Sequence, residues 1–194
     1  TNMVFYTDVR VPVANTVGEI HRGWSIGKYL LAHERMSGGS LGQHKTILWQ
    51  LKEIAIQDEQ CGGRPLIGEP NFAHHIAAIE MELRTLEAFN MRAIDKFSRD
   101  GELGGKALGA EANIFKIRSS EILQRLHELK AEAIAYYAMP YQIAALQHGW
   151  NEPSVGAEYA NSCTPNYLHF RKVSIYSGSN EIQHNILAKA QLGM

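Results

Sequence analysis

Cysteine is scarce in this sequence. Cys61 and Cys163 are the only two among 194 residues. Their separation fits neither a disulfide framework nor a zinc spacing, and it suits a reducing compartment, so a cytoplasmic location is expected. An excess of either charge is also missing. Nineteen Lys and Arg face twenty Asp and Glu, for a net charge of -1, which argues against a nucleic-acid footprint or a strongly charged partner. No apolar run approaches a membrane-spanning length, and the amino terminus lacks a signal-peptide pattern. An initiator Met is absent, and the chain opens inside a strand-like stretch, as expected of a fragment or a processed product. The nine histidines show no His-Glu-x-x-His spacing, and adjacent His74 and His75 point in different helical directions, so no metal site is expected.

What is present is an ordinary globular composition, 45% hydrophobic and 20% charged, in a chain long enough for one good core. Met3 to Val13 reads as an extended piece too short for an independent sheet. It is expected to be either the last strand of something absent or an arm on the helices. Trp24 then marks the entry to a helical spine over 25–60, with Ser25 as its N-cap. Ile26, Leu30 and Glu34, then Ile47, Leu48, Leu51, Ile54 and Ala55, carry the helical period. Gly38, Gly39 and Gly42 interrupt it, so either the helix breaks there or something packs too closely for a side chain.

Beyond the Gly- and Pro-rich loop 61–70, Pro70 opens a helix whose inner face is Phe72, Ile76, Ile79, Leu83, Leu86, Ala93 and Phe97. Gly101, Gly104 and Gly105 end it. A third helix is predicted from Leu108 to Tyr137, with Ile114, Ile117, Ile122, Leu126, Leu129 and Ala133 inward and Pro140 as its stop. A long loop over 139–165 precedes a short helix from Pro165 to Ile175. Ser179 or Asn180 caps a last helix reaching Leu192, with Ile182, Ile186 and Ala190 as its apolar face. Such elements predict an all-α protein, an antiparallel four-helix-type bundle with a short extended amino-terminal segment.

Two places invite chemistry. Glu34 follows an apolar run and precedes Arg35 and the glycine cluster. Buried beside a glycine-opened cleft it suits a general base; otherwise it is an exposed or Arg-paired helix residue. Ser177-Gly178-Ser179-Asn180-Glu181 places hydroxyls and backbone N–H groups at a helix start, where a phosphate or pyrophosphate can bind or where the residues simply cap the helix.

These same residues carry a family resemblance. The segment 4–13 with Val17-Gly18-Glu19 and Gly23-Trp24 resembles the end of the middle β-domain of acyl-CoA dehydrogenases. The segment 174–189, closing in Leu192-Gly193, resembles their terminal flavin-proximal motif. The resemblance covers essentially the whole chain and the C-terminal half of a complete enzyme. It implies residues 1–22 as the end of the β-domain with its connector, and 23–194 as the C-terminal helical domain. It also implies FAD-dependent α,β-dehydrogenation of an acyl-CoA thioester, with electrons passed to an electron-transferring flavoprotein. In most relatives the proton-abstracting Glu stands where this chain has Ser177. In isovaleryl-type enzymes it stands on the first long helix, directly before an Arg, which corresponds to Glu34 and Arg35. The resemblance therefore implies Glu34 as base and Arg35 as its neighbouring charge. It places Ser179, Glu181 and Gln183 near the FAD pyrophosphate and ribityl chain, Tyr176 near the flavin or acyl group, and Arg64 in a cross-subunit FAD loop that lacks the usual Phe. The fragment alone is expected to bind FAD poorly. Relatives assemble as homo-oligomers or from paralogous chains, so a non-catalytic scaffolding subunit stands beside the enzyme, and a bare bundle binding a hydrophobic partner is a third reading.

Overall fold

The computed structural model describes residues 2–37, 41–57, 63–100 and 111–193, apart from the side chains of 31–37, 97 and 100. The predicted spine is described as two helices, α1 (Gly23–Ser37) and α2 (Leu41–Gln57). Gly38 and Gly39, on which the question of a break rests, lie outside the described residues. Ser25 sits within the first turn of α1, and its hydroxyl donates to the Arg22 carbonyl at 2.7 Å instead of capping the helix. Next come α3 (Pro70–Asp100) and α4 (Glu111–Ala133), then α5 (Cys163–His169) and α6 (Asn180–Leu192).

Local chemistry accounts for the helix ends. Pro70 opens α3 as predicted, and Glu69 Oε2 accepts the Phe72 N–H at 2.7 Å, satisfying one otherwise unpaired donor. Helix α4 stops short of the predicted Tyr137: Ala135 turns to a left-handed φ of 45°, and Ala135–Ala138 continues as a 3-10 turn. At α6 the Ser179 hydroxyl accepts the Ile182 N–H at 3.4 Å, and Gly193 at φ 67° closes the other end.

Helices α2, α3 and α4 form the core. Leu51, Ile54 and Ala55 of α2 meet Phe72, Ile76, Ile79, Leu83 and Leu86 of α3 and Phe115, Ile122, Leu126 and Leu129 of α4, all buried. α4 is the central element, packed also against α5, α6 and the 3-10 turn Phe170–Ser174. It carries an unusual polar load inward, because Asn113, Ser119, Ser120, His127 and Lys130 are buried beside its apolar residues.

The outer segments depart from the sequence reading. Residues 2–12 form no strand, having no neighbouring strand among the described residues to pair with. Nor do they lie on the helices, since Met3, Val4, Phe5, Tyr6, Val9 and Val11 are all exposed. Ile114 is exposed on the outer edge of the α3–α4 contact, where it lines an apolar groove with Met81, Leu86 and Phe89. In α6 the exposed Ile182 and Ala190 flank the packing face, whose buried residue is Gln183.

Candidate functional site

The residues singled out at the carboxy-terminal motif come together in one turn. After the 3-10 turn Phe170–Ser174, Ser177 and Gly178 take consecutive left-handed conformations, φ 55° and 80°, before Ser179 returns to extended backbone. Gly178 is required twice over. Its φ suits a residue without Cβ, and a Cβ there would overlap the Gln183 side-chain amide. Ser177 carries a Cβ into the left-handed region, a strained choice for a non-glycine residue.

Tyr176 is partly exposed, and Ser177, Gly178 and Ser179 line the surface beside it. Glu181, in the first turn of α6, is fully exposed. Its carboxyl is held below the usual range, first by the Ser179 hydroxyl, then by its own backbone N–H and by Lys116. An ionised carboxylate at a helix amino terminus is also favoured by the aligned peptide dipoles. Gln183 faces the other way. Only 4% exposed, it turns its Nε2 to donate to the Gly178 carbonyl at 3.3 Å. Arg64 is exposed on the loop before α3, whose first residues, Cys61 and Gly62 among them, lie outside the described residues. Glu34 and Arg35 lie on the last turns of α1, but their side chains are outside the described residues.

Polar residues of α4 hold this turn in place, and none of them was singled out by sequence pattern. Gln124 Nε2 donates to the Arg171 carbonyl at 2.9 Å and to Ser174 Oγ at 3.2 Å, and Arg171 Nη2 returns a bond to the Gln124 carbonyl at 2.8 Å. The Arg171 guanidinium also lies over the Tyr167 ring, 4.5 Å from its centroid. His127, one turn along α4, stacks parallel on Phe170 at 4.4 Å. Neither of its ring nitrogens finds a hydrogen-bond partner among the described residues. Burial lowers its pKa from 6.5 to about 4, aided by the nearby charges of Lys130 and Arg171. At the α6 end, Lys116 and Ser120 bond to Asn180. Lys116, Ser120 and Gln124 recur every four residues, a polar stripe at helical spacing that a count of apolar residues alone passes over.

The turn thus offers an exposed aromatic ring, a hydroxyl, an ionised carboxylate and a helix start, all on a fixed frame. Such a surface can hold a polar cofactor edge: the carboxylate suits hydroxyl donors, and the helix start suits anions. Neither group suits proton abstraction well: the hydroxyl of Ser177 does not ionise near neutral pH, and the Glu181 carboxylate, held below its usual range, is a weak base.

A family model described as acyl-CoA dehydrogenase, C-terminal domain, matches residues 21–192. The chain is 26% identical over 194 residues to the acyl-CoA dehydrogenase FadE26 of Mycobacterium tuberculosis (strain ATCC 25618 / H37Rv), covering 100% of this chain and 46% of that protein. Among solved structures it is similar to the ChsE4-ChsE5 complex from Mycobacterium tuberculosis, with a TM-score of 0.74, 26% identity, and coverage of 98% of this chain and 45% of the other. Butyryl-CoA dehydrogenase from Megasphaera elsdenii shares the fold, with a TM-score of 0.69, 21% identity, and coverage of 96% and 43%. The chain spans about half the length of these relatives.

Proposed function

Because the chain belongs to the acyl-CoA dehydrogenase family through its C-terminal domain, we propose that it is the helical domain of a cofactor-scaffolding subunit in a heteromeric acyl-CoA dehydrogenase. The observation that carries this reading is Ser177. By resemblance its position is the one where most relatives carry the proton-abstracting Glu, and it lies in a strained left-handed turn built around Gly178 and Gln183. Likeness to a two-component complex at 26% identity supports a partner of the same family.

In this reading the exposed edge of the turn lies against FAD. The residues present fit such a group: Tyr176 offers a ring, and Ser179 offers a hydroxyl at the start of α6. Glu181, ionised beside it, accepts from ribityl or ribose hydroxyls and disfavours a phosphate at that point. Gln183 serves the turn from behind. FAD, when bound, accepts the hydride in acyl-CoA dehydrogenation and passes electrons onward to an electron-transferring flavoprotein. The chain's own contribution is orientation.

A second reading keeps the catalytic base in this chain. Helix α1 runs through Glu34 and Arg35, the place used by isovaleryl-type enzymes, so Glu34 takes the α-proton and Arg35 steadies the local charge. Co-purification of the full-length protein with a paralogous partner separates the assemblies. The scaffold reading expects a mixed oligomer that retains FAD and dehydrogenates acyl-CoA, while this protein alone is colourless. A flavin-loaded, active homo-oligomer of this protein alone would overturn it.

A further inference from the structure

The exposed arch over 176–179 is strapped to α4 at both ends. Upstream, Gln124 grips the Arg171 carbonyl at 2.9 Å and Ser174 Oγ at 3.2 Å. Downstream, the strap is Asn180, the first residue of α6, which bonds to two residues of α4 more than fifty positions earlier in the chain.

Lys116 sets the orientation of the Asn180 amide. Lys116 Nζ can only donate, and it lies 2.8 Å from Asn180 Oδ1, which fixes which end of the amide faces it. Asn180 Nδ2 therefore faces Ser120 Oγ, to which it donates at 3.0 Å. The Ser120 hydroxyl lies 2.8 Å from the Ile117 carbonyl and 3.1 Å from Asn180 Oδ1, and its single proton favours the shorter contact, to Ile117. A partly buried chain of bonds from Lys116 through Asn180 and Ser120 to Ile117 results. Lys116 is half-buried, and Asn180 supplies the polar partner that its ammonium needs there. On the other side of the arch Gln183 closes onto the Gly178 carbonyl.

We propose that Asn180 is a positioning residue, locking the arch over 176–179 to α4 through Lys116 and Ser120 and so setting the surface that the cofactor meets. The relation to FAD rests on the function proposed above; the lock itself does not.

The test uses amide hydrogen exchange on the intact protein, with FAD affinity of the assembled oligomer as a second readout. In Asn180→Ala the peptide spanning the arch is expected to exchange about tenfold faster, the loss of one charge-assisted and one neutral hydrogen bond, while peptides of α2 and α3 keep their wild-type rates. FAD affinity falls by about tenfold in the same variant. Asn180→Asp keeps an acceptor for Lys116 and can take the Ser120 proton, so both readouts stay within about threefold of wild type. Ser120→Ala removes the Ser120 contact of Asn180 but leaves its bond to Lys116, and gives a smaller loosening, which covers the case in which Asn180→Ala fails to fold. Wild-type exchange across the arch in Asn180→Ala, or in Ser120→Ala where only that variant folds, overturns the lock. Faster exchange with unchanged FAD affinity upholds the lock and removes FAD from this face.

Discussion

At the scale of single residues, His127 makes the clearest demand on pH. Its folded pKa of about 4 lies below the ordinary 6.5, so the unfolded chain takes up a proton first as pH falls. Stability is unaffected by this group above about pH 6.5. It declines from there to about pH 4, by about 3 kcal/mol in all, and then levels off once the folded form is also protonated. Replacing His127 by Phe keeps an aromatic ring on Phe170 and removes the titration. Urea unfolding at pH 7.5 and pH 4.5 is expected to show a smaller acid loss for His127→Phe than for wild type. A second residue-scale prediction concerns Gly178. Ala at that position meets both a left-handed φ and the Gln183 amide, so Gly178→Ala is expected to cost about 1–3 kcal/mol in thermal unfolding.

At the scale of elements, legibility depends on whether an element packs by apolar residues. α3 is legible because Phe72, Ile76, Ile79, Leu83 and Leu86 bury one clean stripe. Leu126 of α4 is fully enclosed, and Leu126→Ala is expected to cost about 3 kcal/mol, whereas Ile114→Ser, at an exposed position, changes stability little. α6 misleads for the opposite reason. Its packing face runs through Asn180 and Gln183, so the apolar Ile182 draws attention to the wrong side. Buried polar residues of α4 such as Lys130 and Ser119 are invisible for the same cause, since their partners lie far away in sequence: Gln50 for Lys130 at 2.9 Å, and His44 of α2 for the Ser119 hydroxyl at 3.2 Å. Among the candidate site residues, the carboxy-terminal motif points to the turn containing Tyr176, Ser179, Glu181 and Gln183. It does not reveal that Gln183 faces inward, because spacing along a chain says nothing about which polar side chain closes a turn. Ion pairs across α3 and α4, such as Glu82 with Arg118 at 2.9 Å and Arg125 at 2.6 Å, add orientation more than stability at their partly exposed sites.

At the scale of the molecule, the segments outside the core helices carry much exposed apolar surface. The amino-terminal arm exposes Phe5, Tyr6 and Val13, and the region after α4 exposes Tyr136, Met139, Tyr141 and Ile143. A core built from α2, α3 and α4 does not use the arm. Removing residues 2–12 is therefore expected to change the unfolding free energy by less than about 0.5 kcal/mol, as measured in urea. Loss of a heteromeric assembly on that removal, with the core intact, would show the arm to be contact surface.

A scaffold role turns on where the proton goes. Its most direct test is acyl-CoA turnover by the assembled full-length protein with Glu34→Gln beside wild type, at matched flavin content and subunit stoichiometry. A scaffold subunit predicts turnover within about threefold of wild type, since the base then belongs to the partner. A fall of about a hundredfold or more would contradict it and place the base on α1 of this chain.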